Sequence, residues 1–281
     1  MATTLKDLRQ GIGGLGFCAD MLLTTAISGS DSTKIVDNKL VRTNDAFNYY
    51  WVAVVSGSAT GDRRVIADWV QSTYTLTPDR NFTAAVSSGD GYELHRLFSP
   101  SSKDDAVNQA IREQRKWLRR VEDETITIVA GTYRYRVDNL IVGVDATLGI
   151  DDLYTKASTD TEWARVDPNL WWIEQNGAYV YLMFKSEGMP ATSNTLRLQY
   201  RAYSAALSAD TSTLSPDDPN LVNFIKCKAA GLLFQQKADQ GEEKPNGHWQ
   251  NRASEMERKA EMFYGLRTHL PPKPSQKVAL W

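Results

Sequence analysis

The chain has 281 residues, of which 42% are apolar and 23% charged, and its 32 Lys and Arg face 34 Asp and Glu for a formal net charge of −2. That balance excludes wholesale disorder, a collagen-like repeat, a disulfide miniprotein and a globally basic nucleic-acid coat. At about 150 residues per domain, the length predicts roughly two domains or one elaborated domain.

Residues 1–20 predict a short helix ending in a glycine turn. Thr3-Thr4-Leu5 opens it, and Gly11-Ile12-Gly13-Gly14-Leu15-Gly16 stops it. The glycines satisfy G-x-G-x-x-G, but phosphate binding needs a strand before that loop and a helix after it. Here the order is reversed, since the segment from Met21 to Ile27 has the texture of a strand.

Residues 21–98 predict a first β module, a small barrel or sandwich. Ile35-Val36, Tyr49 to Val55, Arg64 to Val70 and Thr73 to Leu76 are β-branched and aromatic, and Gly, Ser, Asn and Asp separate them. Ser56 to Asp62 reads as a long hairpin loop. A central helix is expected over 99–124, with Ser99 as cap and Pro100 in the first turn. Val107, Ala110, Ile111, Trp117, Leu118 and Val121 form its apolar face, and Arg112, Arg115, Lys116, Arg119 and Arg120 its basic face. Such a face suits contact with nucleic-acid phosphates or with an acidic patch on a neighbour, or simple solvation.

A second module, an antiparallel β-sandwich, is expected over 125–207. Strand texture recurs at Thr125 to Val129, Tyr133 to Val137, Leu140 to Val144, Trp171 to Ile173, Tyr179 to Phe184 and Leu196 to Tyr203. Asn176-Gly177 marks a hairpin, and 145–168 reads as a long loop. A C-terminal helix pair follows over 216–269. Asp218-Pro219 opens the first helix, whose Phe224, Ile225, Leu232 and Phe234 make it apolar on more than one side and predict burial between several neighbours, with packing against other subunits as one form of it. The second carries Trp249, Ala253, Met256, Ala260 and Phe263 at alternating spacings of four and three, the seam of a helix pair. Residues 270–281 form an extended tail. Pro271, Pro272 and Pro274 prevent a helix, and Val278, Leu280 and Trp281 are apolar anchors that predict docking on another protein surface. The fold class is thus α+β, a small helical bundle carrying antiparallel β insertions.

The catalytic inventory is thin. His95, His248 and His269 have no second His or Cys at metal-ligand spacing, and all three are expected at surfaces or interfaces. No G-x-S-x-G elbow, Walker lysine loop or H-E-x-x-H is present. The acid pairs, Asp104-Asp105 among them, read as solvated or helix-start charges. Cys18 and Cys227 read as reduced thiols of a cytoplasmic protein. There is neither a secretory h-region nor an apolar run of about 20 residues. No enzyme activity, cofactor, metal or membrane partner is indicated.

The run Asp90 to Phe98 leading into Ser99 to Arg112, the segment Glu122 to Tyr135, and the loop Ser56-Gly57 to Gly61-Asp62-Arg63-Arg64 resemble tailed-bacteriophage head–tail adaptor proteins, also called connector or head-completion proteins. The likeness is closest over 90–135 and looser at the terminal helices. It implies a structural virion protein at the head–tail junction, made in the host cytoplasm. It also implies a homo-oligomeric ring of typically twelve beneath the portal, a downstream neck or tail protein as second partner, and a channel for double-stranded DNA. The alternative is a β-sandwich binding module of a phage tail, with Trp51, Trp69, Trp163, Trp171 and Trp172 stacking on a glycan or touching a receptor. A hydrolase using the acid pairs is a third reading.

Overall fold

The computed structural model describes residues 2–14, 17–114, 118–137, 150–176, 179–215, 218–241 and 247–265. The chain divides into two compact units. Unit 1 comprises Met1–Gln114 and Ala206–Arg267; unit 2 is built on Arg115–Ala205. Unit 2 is therefore an insertion between two halves of unit 1.

Among the described residues, unit 1 contains four α-helices and one open sheet. Helix α1 (Leu5–Gly13) begins with a reciprocal cap, in which the Thr4 side chain accepts from the Asp7 amide and Asp7 accepts from the Thr4 amide. Strands β1 (Met21–Thr25), β2 (Ile35–Val36), β3 (Trp51–Val54), β4 (Arg63–Val70), β5 (Thr75–Pro78) and β6 (Gly91–His95) form an antiparallel sheet in the order β1-β6-β3-β4-β5-β2. The expected strands are thus present, in a sheet that does not close into a barrel. Its core is apolar, with Val52, Val54, Ile66, Leu76 and Leu94 packed around Trp69, and Phe47 meets the Trp69 ring edge-on at 5.1 Å.

Helix α2 (Pro100–Glu113) is capped by Ser99, which accepts from the Ser102 amide, and has Pro100 in its first turn. The central helix predicted to reach 124 ends at Glu113, and Gln114 is extended. The apolar spacing already breaks there, since no apolar residue falls between Ile111 and Trp117. Beyond it the backbone joins strand β7 (Leu118–Thr127), which pairs with β13 (Thr195–Tyr203) from Leu118↔Tyr203 to Thr127↔Thr195. Eight cross-strand pairs, interrupted by one register shift, outweigh the favourable but small helix propensity of Arg and Lys.

Helix α3 (Pro219–Asp239) starts at the Asp218 cap, whose side chain accepts from the Asn220 and Leu221 amides. It packs on α1, α2 and α4 (His248–Gly265). On α4 the expected seam is buried at Trp249, Ala253, Met256 and Ala260, and Phe263 is half-buried. This packing accounts for the many-sided apolar character of α3. Phe234 meets Phe98 edge-on at 5.8 Å and stacks on Trp249 at 5.7 Å, Phe224 lies 5.5 Å from Tyr264, and Ile225 is fully buried. The expectation that Phe224, Ile225 and Phe234 face other subunits is corrected: elements of the same unit cover them. Leu232 is half-buried.

Unit 2 contains two antiparallel sheets. One has the order β10-β9-β13-β7, the other β11-β12-β8. The additional strands are β8 (Arg134–Arg136), β9 (Ile150–Lys156), β10 (Ala164–Arg165), β11 (Trp171–Asn176) and β12 (Tyr179–Phe184). Both sheets contribute to one apolar core, including Ile126, Leu153, Leu196 and Leu198 from the first and Trp171, Ile173, Leu182 and Phe184 from the second. β11 and β12 pair up to Asn176↔Tyr179, as the Asn-Gly hairpin signal predicts. The long loop expected over 145–168 instead holds β9 and β10, with Ile150 and Leu153 in the core. The strand expected at 140–144 lies outside the described residues.

Candidate functional site

The chemistry in unit 1 is concentrated in a buried ion cluster. Helix α1 points Arg9 inward, with no exposed surface. Its Nε donates to Glu93 Oε2 on β6 at 3.0 Å. Its Nη1 donates to Asp104 Oδ1 on α2 at 3.1 Å and to Asp210 Oδ1 at 2.7 Å, and its Nη2 to Asp210 Oδ2 at 2.9 Å. Arg63 at the start of β4 adds a second guanidinium against Asp104, at 2.5 Å. A planar fork with several donors is suited to hold three carboxylates at once.

Glu93 is also bonded to His95, with Nε2 and Oε2 2.9 Å apart. The other ring nitrogen, Nδ1, lies 2.9 Å from the Lys103 ammonium, which itself donates to Asp20 Oδ1 at 2.6 Å. An ammonium has only donors, so Nδ1 accepts and Nε2 carries the proton given to Glu93. The histidine is thus neutral within a chain running Asp20–Lys103–His95–Glu93–Arg9. Of the expected surface or interface position of His95, the surface is corrected: the residue is fully buried. Its alternating run places it on a strand with Glu93, two residues away, on the same face, but the sequence carries no sign that this face meets Lys103.

Burial disfavours every charge in this cluster, and the partners decide the outcome. Glu93 would be raised by burial, but the His95 hydrogen bond and the Arg9 charge hold it at about 2. Burial lowers His95, as does the neighbouring Lys103, and the Glu93 bond offsets this only partly. Asp104 is raised, because burial outweighs its two arginines. The Cys18 thiol is pushed up to about 12 by burial and by Asp20, which makes it a poor nucleophile.

The cluster fastens the point where the chain returns from unit 2. Asp210 lies on that return segment. Asn108 on α2 donates to the Leu207 carbonyl at 3.0 Å and accepts from the Leu207 amide at 2.7 Å. The Leu5 and Lys6 amides, unsatisfied at the start of α1, donate to the carbonyls of Ser212 and Asp210. The exit is held too. Lys228 on α3 contacts Glu113, the last residue of α2, at 3.1 Å, and also Glu257 on α4. The unit 1 segments that flank the insertion on either side are therefore both held within unit 1 by charge. The arrangement is a clamp: each carboxylate is occupied, and among the described residues no nucleophile stands beside a free base in it.

The other predicted sites are dispersed. The five cations do not share a helix face: Arg112 lies in the last turn of α2, Arg119 and Arg120 on β7 opposite Ala202 and Arg201, and Arg115 and Lys116 outside the described residues. Pro271, Pro272, Pro274, Val278, Leu280 and Trp281 lie outside them as well, as do Gly16 and His269. Gly11 and Gly13 close α1, and a Cβ on Gly13 would stand 2.6 Å from that of Met21, so glycine permits the close approach of β1. The five tryptophans do not converge on one face. Trp69 and Trp171 are buried, and Trp51, Trp163 and Trp172 are half-buried; Trp163 lies under the Arg197 guanidinium at 4.2 Å. Both cysteines are free and buried. Among the described residues no group of three or more ligands could hold a metal ion, and no helix is long and apolar enough to cross a membrane.

The sequence matches the model of one protein family, the SU10 adaptor protein, over residues 64–268. No curated protein matches the chain.

Proposed function

The chain belongs to the SU10 adaptor protein family, a family of phage adaptor structural proteins, and from that premise we propose that it forms a ring beneath the portal and continues the DNA channel toward the tail. The observation that carries the reading is the extent of the match, which runs from β4 through unit 2 to the end of α4 and so includes both units. The clamp supports it. A part that bears load between neighbours gains from firmly held segments on either side of an insertion, and buried, fully paired charges resist local opening.

In this reading twelve copies assemble, one face meets the portal, and another meets a downstream neck or tail protein. The C-terminal tail anchors each copy on a neighbour through Val278, Leu280 and Trp281, stiffened by Pro271, Pro272 and Pro274. Arg112, Arg115, Lys116, Arg119 and Arg120 serve as cationic contacts for passing DNA or for a neighbouring subunit, and half-buried Leu232 is the residue of α3 left for subunit packing. Imaging of necks from purified virions tests this, and the expected result is a closed ring of the chain between portal and tail. A single copy per virion, or a location away from the neck, would sink the proposal. Charge reversal at Arg115 and Arg119 is expected to reduce assembly or DNA retention.

A further inference from the structure

Strand β1 is the open edge of the unit 1 sheet. Arg96 donates its amide to the Asp20 carbonyl, and Ala26 donates its amide to the Asp90 carbonyl. By alternation Leu22 and Thr24 make the remaining bonds to β6, so the backbone groups of Met21, Leu23 and Thr25 point away from the sheet. The edge is competent to pair: just past Thr25, the Ile27 amide donates to the Val36 carbonyl at 2.8 Å. Among the described residues no strand adds to Met21–Thr25. The usual protections of such an edge, a proline, a bulge or an inward charge, are absent from it.

Each face of this edge opens into a cleft, because successive side chains point to opposite sides. On one face Leu22, 45% exposed, borders a cavity of about 770 Å³ lined by Leu40, Phe47 and Leu94. On the other, Leu23, 51% exposed, borders one of about 600 Å³ that reaches Lys6 and Gln10 of α1. Both clefts are positive. Exposed Lys39, Arg42 and Arg96 line the first, and its one lining carboxylate, Asp20, is held by Lys103. Among the described residues neither Arg42 nor Arg96 has an ion-pair partner. Lys6 and Lys39 line the second, where the one carboxylate, Asp7, is engaged in the Thr4 cap.

We propose that the β1 edge receives an extended acidic segment of another protein as an added strand, one that alternates carboxylates with aliphatic side chains. Main-chain pairing with Met21, Leu23 and Thr25 supplies affinity, and the side chains supply selectivity. The aliphatic face lies against Leu22, Leu40 and Phe47, and the carboxylates meet Lys6 and Lys39, with Arg42 and Arg96 at the rim. Charge complementarity selects this occupant over a second β1 edge, which would bring the same cations against themselves. The outward carbonyls and leucines select it over nucleic acid, because a phosphate backbone offers neither an N–H donor nor an apolar face. The proposal does not depend on the adaptor-ring reading.

The test is fluorescence anisotropy on the full chain with a labelled peptide of alternating glutamate and valine, beside one of alternating lysine and valine. The first should bind saturably and weaken as salt rises, and the second should not bind. Leu23→Pro removes an outward amide while leaving the bonds to β6 intact, and should abolish binding. Arg42→Glu, at an exposed side chain, should weaken binding by about tenfold or more. If Leu23→Pro lowers the thermal midpoint, Arg42→Glu combined with Arg96→Glu replaces it with the same expectation. No binding of the glutamate peptide, equal binding of the lysine peptide, or unchanged binding in the variants overturns the proposal. So does self-association of the wild-type chain that Leu23→Pro abolishes, since a second copy would then be the occupant. The ring reading stands or falls separately, on the copies found in the neck.

Discussion

Each unit is stabilised internally, and by opposite means. Unit 1 places Arg9, Glu93, His95 and Lys103, each without exposed surface, at the junction of α1, α2 and β6. Unit 2 fills the space between its sheets with aliphatic and aromatic side chains and keeps its charges outside, as with Arg134, which contacts Glu174 at 3.1 Å and stands 3.7 Å over the Tyr181 ring. The contrast follows from what each must do. An apolar core tolerates many arrangements of similar volume, whereas a buried charge is stable only in one set of partners. The unit that interrupts its own chain to carry an insertion is the one that uses charge to fix its geometry.

The largest break in this contrast should come from Arg9→Ala. It strands Glu93, Asp104 and Asp210 without their main partner, and removal of one member of a buried ion network costs about 3–5 kcal/mol. Calorimetry should show the unit 1 transition falling steeply while that of unit 2 stays in place. Leu198→Ala should do the reverse, lowering the unit 2 transition by about 2–5 kcal/mol through a cavity between its sheets.

Acidification separates the units next. Glu93 sits at about 2 in the folded protein against an ordinary 4.5, so the stability it contributes is present above pH 4.5 and is lost as pH falls toward 2, on the order of 3 kcal/mol in all. His95 is lowered from 6.5, so the unfolded chain binds its proton first and stability begins to fall as pH drops below about 6.5. Asp104 is raised, which works in the opposite direction and softens the loss at low pH. Unit 1 should therefore melt earlier with each step below pH 6.5, and His95→Gln should flatten the upper part of that profile. A pH-independent midpoint for unit 1 would contradict the clamp.

The smallest effects sharpen the comparison from the other side. Arg134→Ala removes a surface ion pair and a ring contact, and the unit 2 midpoint should move by no more than about 1 kcal/mol. Replacing residues 115–205 by a short Gly-Ser linker should leave unit 1 folded with nearly its original midpoint, since Asn108 already holds Leu207 next to α2. A circular dichroism melt without a cooperative transition would show that the units fold as one.

Local chemistry was legible in the sequence. Thr4, Ser99 and Asp218 are caps as their residue types suggest, and each named strand of the first module lies where β-branched and aromatic residues cluster. The misreadings came from tertiary competition. The backbone from Leu118 onward gives up a helical composition for pairing with β13, and this dissolves the basic helix face. The apolar surplus of α3 signalled burial correctly, but its partners are α1, α2 and α4 of the same chain. The clamp was invisible because Arg9, Glu93, Asp104 and Asp210 are scattered over 200 residues and belong to no local motif. One hint existed: Lys103 and Asp104 fall on the turn of α2 that also carries Ala106 and Val107, a position where charge has to be either solvated or paired.

The most direct measurement of the functional account is native mass spectrometry of the purified chain, alone and with its portal. The account predicts one closed ring per portal, with twelve copies, and a mass that does not change on prolonged incubation. A chain that stays monomeric beside an intact portal would contradict it.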